Sequence, residues 1–361
     1  MSSSDIKRKV GILGSGQLGR MLAISGAQLG LTVSHYDEVD SPPAEIVSKY
    51  IKGSLRDETE VKTFAALNEI ITAEFENIAA ETLKFANSVT PVLPSPEAFR
   101  IASDRLLEKQ LATKLKIPIP KYLPVATLEA LRLASSELPN AILKARSLGY
   151  DGKSQSKVGE NLEEAWNSVG KRASLLEEFF YFDFEVSQIA VRGGSGETAF
   201  YDLAKNTHER GILIRSVVNP SSIPELTLKA QKYVSAILVE LNYVGVLAVE
   251  FFVKGNELYF NEMAPRVHNT GHWTIEGAET SQFENHLRAI CNLPLGSTQS
   301  RGPCEMINII GSEPDYRAIF STKNAHLHMY GKEPRPGRKL GHVTVTGTTE
   351  SQIAKLVNNL L

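Results

Sequence analysis

VLAVEFFVKGNELYFNEMAPRVHNTGHW, residues 246–273, reads as two buried strands folded about a short turn at Lys254-Gly255-Asn256. Two glutamates, Glu250 and Glu262, interrupt runs that are otherwise apolar. Pairing Val253 with Glu257 sets Glu250 opposite Phe260 and Ala248 opposite Glu262. Both carboxylates then share one face as diagonal neighbours, with Cα atoms roughly 7–8 Å apart. Two like charges on an apolar face repel each other and lose hydration. A hard divalent cation between them removes the conflict, and Mg²⁺ prefers one or two carboxylates together with substrate phosphates. The stretch that follows, Arg266-Val267-His268-Asn269-Thr270-Gly271-His272, is dense in donors for an anion. A metal beside an anion points to phosphoryl chemistry. A zinc cluster at His268 and His272 competes with this reading, but Pro265, Asn269 and Gly271 make the segment a loop rather than a ligand-bearing helix.

Upstream, Lys9-Val10-Gly11-Ile12-Leu13 reads as a buried parallel strand ending in the glycine turn GSGQLG (14–19). A helix from Arg20 to Leu29 follows, closed by Gly30. A strand from Leu31 to Tyr36, a short strand ending near Ile51 and Gly53, a helix from Asp57 to Leu67 and a strand from Glu69 to Phe75 continue the alternation. Strands and helices at this spacing predict a doubly wound parallel sheet. VTPVLPSPEAFR (89–100) closes this first unit. A helix from Ser103 to Leu115 leads into a proline-broken connection, PIPKYLPVATLEAL (118–131). A strand at Ala141–Ala145, strands within 174–191, a helix from Thr227 to Leu241 and a C-terminal set of short strands and turns complete the pattern.

The turn Gly14-Ser15-Gly16-Gln17-Leu18-Gly19 matches the dinucleotide fingerprint in its expected setting, and Asp37 lies near the ribose-binding position of that pattern. A nicotinamide cofactor, and with it an oxidoreductase, is one reading. Helix N–H groups offered to another phosphorylated ligand are a second, and a purely structural turn is a third. Gly149-Tyr150-Asp151-Gly152-Lys153-Ser154 is either a phosphate lid or a hairpin corner. Lys144 is either an outward-facing strand residue or a point charge for a nucleotide phosphate. Glu177, Glu178 and Glu185 are either solvated or include an acceptor for ribose hydroxyls. Lys332, Arg335, Arg338 and Lys339 form a cationic loop shaped by Pro334, Pro336 and Gly337, suited to a phosphate monoester bound through Arg forks.

A net charge of −2 over 361 residues suggests neither a nucleic-acid nor a membrane partner. Two cysteines, Cys291 and Cys304, make no disulfide framework in so long a chain and fit a reducing cytoplasm.

Several segments together resemble N5-carboxyaminoimidazole ribonucleotide synthetases, ATP-grasp enzymes of purine synthesis. They are Gly14–Gly19 with Arg20-Met21, AEFEN (73–77), Gly149-Tyr150-Asp151-Gly152, NEMAPRVHNTGHW (261–273) and Arg335-Pro336-Gly337-Arg338-Lys339. The resemblance runs from about residue 8 to the C-terminus, and 261–273 is its most specific part. It implies an α/β and α+β architecture, an ATP-grasp fold behind a Rossmann-like unit. The units would be 1–115 for substrate, 116–176 as a small lid and 177–361 as the catalytic part.

The implied reaction is carboxylation of aminoimidazole ribonucleotide by bicarbonate, with ATP and Mg²⁺, through carboxyphosphate. The resemblance assigns Arg105 and Lys144 to ATP phosphates and Gly149, Tyr150, Asp151, Gly152, Lys153, Ser154 and Gln155 to the lid. It assigns Glu177, Glu178, Phe179 and Phe180 to adenine, Glu185 to the ribose, His208 to a place beside ATP, and Glu250 and Glu262 to Mg²⁺, with Asn261 adjacent. Arg266, His268 and Asn269 would hold bicarbonate or carboxyphosphate, and Tyr150 and Asp151 would orient the amine. Gly16, Gln17, Leu18, Glu76, Lys332, Arg338 and Lys339 would face the ribonucleotide. The lid of the family reads Gly-Gly-Tyr-Asp-Gly-Arg-Gly. Here Lys153 replaces a planar fork with a point charge, and Ser154 stiffens the loop. The family also implies a homodimer and a separate mutase acting next in the pathway.

Overall fold

The computed structural model describes residues 7–147, 155–159, 161–218, 223–347, 349 and 351–352. The chain opens with β1 (Lys9–Leu13), α1 (Gln17–Gln28), β2 (Thr32–Asp37), β3 (Lys49–Lys52), α2 (Glu58–Ala66) and β4 (Ile70–Ala73). Their strands form a parallel sheet in the order β3-β2-β1-β4. β1 is buried from Val10 to Leu13 and β4 along its whole length, as strands covered on both faces require. α1 begins at Gln17 rather than Arg20. It ends where Gly30 takes a φ of +69°, a conformation open to a residue without a Cβ. Asp57 caps α2 by accepting from the Glu60 N–H.

Three helices, α3 (Ala80–Asn87), α4 (Pro96–Ala102) and α5 (Arg105–Lys114), lead to the second sheet. The Asp104 side chain caps α5 through the Leu106 N–H, and α5 carries Arg105, Glu108 and Lys109 on one face at i, i+3 and i+4. Next come β5 (Tyr122–Val125), α6 (Leu128–Glu137), β6 (Ala141–Ala145), β7 (Gln155–Lys157), α7 (Leu162–Ser168) and β8 (Ser174–Glu178). These strands pair antiparallel in the order β5-β8-β6-β7. The stretch 118–131, expected as a plain connection, thus supplies β5 and the start of α6. Pro124 is tolerated because β5 lies at the sheet edge, where its missing N–H leaves no ladder bond unmade.

The third sheet is built from β9 (Phe184–Arg192), β10 (Thr198–Phe200), β11 (Ala204–Glu209), β12 (Ile212–Val218), α8 (Pro224–Glu240), β13 (Gly245–Lys254), β14 (Glu257–Ala264), α9 (Thr274–Gly277), α10 (Gln282–Ile290), β15 (Cys304–Ile310), α11 (Tyr316–Ser321), β16 (Ala325–Met329) and β17 (Lys339–Thr346). Its path is β14-β13-β9-β11-β12-β15-β17-β16, with β10 beside β9. One apolar core joins the first and third sheets, running from Val10 and Leu22 to Val246 and Leu287. No helix among the described residues is long and apolar enough to cross a membrane.

The hairpin register differs from the sequence reading. The loop is two residues, Gly255-Asn256, so Lys254 pairs with Glu257 and Val253 with Leu258. A β-bulge between Glu250 and Phe251 then shifts the phase, and Glu250 comes to stand directly opposite Glu262 rather than diagonal to it. The two carboxylates are closer neighbours than the unbulged pairing allows.

Candidate active site

A cleft of about 960 Å³ opens between the first sheet, the β13–β14 hairpin and the loop before β17. Glu250 and Glu262 form one wall. Burial, followed by the charge of Glu262, raises the Glu250 pKa to about 7. Burial also pushes Glu262 upward, but Arg105 and Lys144 together outweigh it and hold that carboxyl below the usual range. Arg105 Nη1 donates to Glu262 Oε2 at 3.1 Å. One carboxylate is thus firmly ionised and the other sits near its threshold, an imbalance that a bound divalent cation would resolve. Hard oxygen donors, paired, with Glu250 buried and Glu262 partly open to the cleft, fit Mg²⁺. Donor atoms of Glu185, His208 and Glu250 also converge within 4.8 Å. His208 Nδ1 lies 2.7 Å from Glu185 Oε2, and that carboxylate, with Glu250, raises the His208 pKa against the effect of burial. No group of three metal-binding donors forms around His268 and His272 among the described residues, so the zinc reading finds no site.

Arg266, His268 and Asn269 all line the cleft. Arg266 is paired with Glu76 across the boundary between the third sheet and the first. The His268 backbone is bracketed by Gln282: its N–H donates to Oε1 at 2.9 Å and its carbonyl accepts from Nε2 at 2.7 Å. The ring Nδ1 accepts from the Thr270 N–H at 3.4 Å, which leaves the proton on Nε2. Burial, then the charge of Arg266, keeps His268 well below its ordinary pKa, so it is neutral. Asn269 and Asn308 exchange amide hydrogen bonds at 3.0 and 2.8 Å. Gln282 and Asn308 carry no local sequence signal, because their partners lie 14 and 39 residues away.

Lys332, Arg335, Arg338 and Lys339 line the opposite wall with Gln17 and Leu18. Lys332 donates to Gln17 Oε1, which joins this loop to the start of α1. Burial first, then the neighbouring Arg338, Lys339 and Arg335, lowers the Lys332 pKa to about 8. Such crowded cations suit a dianion.

Gly16 does not face the cleft as a free donor. Its N–H donates to Glu74 Oε1, and the Gly19 N–H donates to Glu74 Oε2 at 2.6 Å. A side chain of the protein thus fills the anion position at the N-terminus of α1, where a dinucleotide would put its pyrophosphate. Asp37, read as a ribose ligand, accepts from Ser15 Oγ at 2.7 Å instead.

The remaining predicted residues that the structure describes do not line this cleft. Lys144 donates to Glu177 Oε2 at 2.9 Å, and Lys109 Nζ approaches the same oxygen at 3.6 Å. Glu178 Oε1 accepts from the Lys121 N–H. The Glu178 and Phe179 N–H groups are taken by the Lys121 and Asn140 carbonyls. Phe180 packs on Tyr259, Asn261 turns its carbonyl to Lys109, and Gln155 pairs with Lys144 across β7 and β6. Gly149, Tyr150, Asp151, Gly152, Lys153 and Ser154 lie outside the described residues.

Family models match in three consecutive pieces. A ribonucleotide synthetase preATP-grasp domain covers residues 7–103, an ATP-grasp domain 110–283 and a phosphoribosylaminoimidazole carboxylase C-terminal domain 304–356. The N5-carboxyaminoimidazole ribonucleotide synthase of Pseudomonas aeruginosa is 44% identical over 356 residues, covering 96% of this chain and 98% of that one. The chain belongs to the N5-carboxyaminoimidazole ribonucleotide synthase family. The synthetase structure from Thermus thermophilus superimposes with a TM-score of 0.92 at 44% identity, over 97% of each chain. The Aspergillus clavatus synthase, in complex with ADP and 5-aminoimidazole ribonucleotide, gives 0.89 at 31% identity over 99% of each. The oxidoreductase reading of the glycine turn falls with this family and with Glu74 in the pyrophosphate position.

Proposed function

We infer that the protein is an ATP-grasp carbon–nitrogen ligase that carboxylates 5-aminoimidazole ribonucleotide with bicarbonate, releasing ADP and phosphate, in purine synthesis. One observation carries the reading: paired carboxylates, an anion loop and a cationic phosphate loop converge on one cleft. Glu250 and Glu262 would hold Mg²⁺, which when bound neutralises phosphate charge. Arg105 and Lys144 would take the ATP phosphates, exchanging their present partners Glu262 and Glu177. With the Glu178 and Phe179 N–H groups already engaged, the adenine edge would be read at Phe180, and Glu185 would accept from the ribose.

Bicarbonate oxygen attacks the γ-phosphorus, ADP leaves, and carboxyphosphate forms. His268 would offer Nε2–H to the anion, Arg266 its charge and Asn269 an amide fixed by Asn308. The exocyclic amine of the ribonucleotide then bonds to the carboxyl carbon, phosphate departs and the amine proton is lost. Tyr150 and Asp151 are the residues proposed to orient that amine. Lys332, Arg338, Lys339 and Gln17 would bind the 5′-phosphate, with Leu18 and Glu76 beside it. The three sheets support a division close to 1–115, 116–176 and 177–361, with the second junction better set after β8 at Glu178. A homodimer and a separate mutase remain part of the proposal, and light scattering of the purified protein tests the first.

ADP release in the presence of ATP, Mg²⁺ and bicarbonate tests the reaction. It should depend on added aminoimidazole ribonucleotide, and a rate equal to the background without it would refute the assignment.

A further inference from the structure

Glu262 stands on β14, the edge strand of the third sheet. An edge strand offers unpaired backbone groups, and a buried edge must satisfy them by other means. Here the groups flanking Glu262 are held by two consecutive side chains of α5. Lys109 Nζ donates to the Asn261 carbonyl at 3.2 Å and to the Phe260 carbonyl at 3.4 Å. Glu108 Oε1 accepts from the Met263 N–H at 2.8 Å. Both side chains are buried, with Lys109 only 1% exposed, and Lys109 also sits 5.8 Å from the Phe260 ring centre. The same ammonium lies 3.6 Å from Glu177 on β8, the carboxylate that holds Lys144 at 2.9 Å. A single buried cation therefore spans the strand bearing Glu262 and the sheet bearing Lys144.

We propose that Lys109 is a positioning residue that fixes Glu262 for the divalent cation and ties that strand to the lysine of the lid sheet. The inference rests on Glu262 being a ligand of the metal. Its physical content is threefold. Lys109 fixes the two peptide carbonyls that precede Glu262, so the carboxylate leaves the strand in one direction. It keeps Glu177 compensated when Lys144 exchanges that carboxylate for a phosphate, since a buried carboxylate left without a cation is strongly unfavourable. It thereby couples phosphate engagement in one sheet to metal presentation in the other, through one atom.

Mn²⁺ binding to the ADP complex, followed by the electron paramagnetic resonance signal of free Mn²⁺, tests this without turnover. Lys109→Met keeps the buried stem and removes the donors. It should weaken Mn²⁺ at least ten-fold while the Kd for aminoimidazole ribonucleotide stays within two-fold. Lys109→Gln, which keeps one donor, should fall between, and serves if the methionine variant does not fold. Glu262→Gln is the reference, and the double variant Lys109→Met/Glu262→Gln should bind Mn²⁺ no more weakly than Glu262→Gln alone. If Glu262→Gln loses Mn²⁺ but Lys109→Met and Lys109→Gln bind it as wild type does, the positioning role is refuted and the metal assignment stands. A double variant showing the two losses multiplied also refutes it. If Glu262→Gln itself binds Mn²⁺ normally, the metal assignment falls and the inference with it.

Discussion

His286 joins the first sheet to the third, and acid should break that joint. Its Nε2 lies 2.9 Å from Thr72 Oγ1 on β4, and its Nδ1 accepts from the Val246 N–H on β13 at 3.1 Å. The ring is wholly buried, and burial lowers its pKa to about 4 from an ordinary 6.5. Nδ1 can accept only while unprotonated, so a proton there would oppose the Val246 N–H. The folded protein therefore refuses a proton that the unfolded chain takes up below pH 6.5. Stability falls as pH drops from 6.5 towards 4, and is unaffected by this group above 6.5. With those two values, protonation at about pH 5 favours the unfolded chain by a factor of about 30, or about 2 kcal/mol.

Urea unfolding near pH 7.5 and pH 5 measures this in the wild type and in His286→Gln. Glutamine can accept from Val246 and donate to Thr72 without titrating. The wild type should lose about 2 kcal/mol more than the variant between the two pH values. Other groups, including His35, which burial also lowers to about 4, are present in both proteins and cancel in the difference. Equal losses in the two proteins would refute the reasoning.

Three further expectations follow from the site. Metal affinity of the nucleotide-free protein should fall as pH drops through about 7, because burial raises Glu250 to that value; Mn²⁺ binding about ten-fold weaker at pH 6 than at its plateau is expected, and a flat profile would sink the assignment. Arg338→Ala removes one charged donor from the cationic loop and should raise the KM for the ribonucleotide about ten-fold or more, with that for ATP within two-fold; parallel changes in both would argue against a phosphate site there. Gly19→Ala brings a Cβ to 2.8 Å from His35 Nε2 and 3.0 Å from Glu74 Oε2; it should cost about 1–3 kcal/mol and lower the thermal midpoint measurably, whereas an unchanged melting curve would show that the ring and carboxylate can give way.

The parts of the fold that were legible in the sequence are those whose signal is local. KVGIL before a glycine turn, the helical run from Asp57 to Leu67 and the two apolar runs around Gly255 each carry their own local pattern. The edge strand β5 was not legible, since a proline in a four-residue strand reads as a break unless the sheet edge is known. Nor was the hairpin bulge: a period-2 pattern places Glu250 and Glu262 on one face but does not reveal a phase shift between Glu250 and Phe251. Site residues followed the same division. Arg266, His268 and Asn269 stand in one run. The partners that orient or compensate residues of the site (Gln282, Asn308, Glu108, Lys109) are ordinary polar residues until the chain is folded. Glu108 and Lys109 look like the solvated face of a charged helix, yet both are buried against a strand more than 150 residues away.

The glycine turn shows why a motif can be present without the ligand it usually serves. The physical requirement of G-x-G-x-x-G is that something anionic comes close to the backbone at the start of a helix. All three glycines meet that requirement here, and all three face the same group. A Cβ at Gly14 would stand 2.5 Å from Glu74 Cγ, one at Gly16 2.7 Å from Glu74 Oε1, and one at Gly19 3.0 Å from Glu74 Oε2. Gly14 moreover takes a φ of +97°, which a residue with a side chain adopts only under strain. The cradle that would admit a pyrophosphate admits a carboxylate from the end of β4. With the helix N-terminus satisfied internally, the free edge of this turn is Gln17 and Leu18, one residue further along, and Gln17 is bonded to Lys332 of the cationic loop. The N-terminal sheet is thereby turned from a dinucleotide carrier into one wall of a cleft whose cations come from the far end of the chain. The ligand proposed for such a wall is a ribonucleotide monophosphate, whose phosphate would sit on Lys332 and Arg338 rather than on α1.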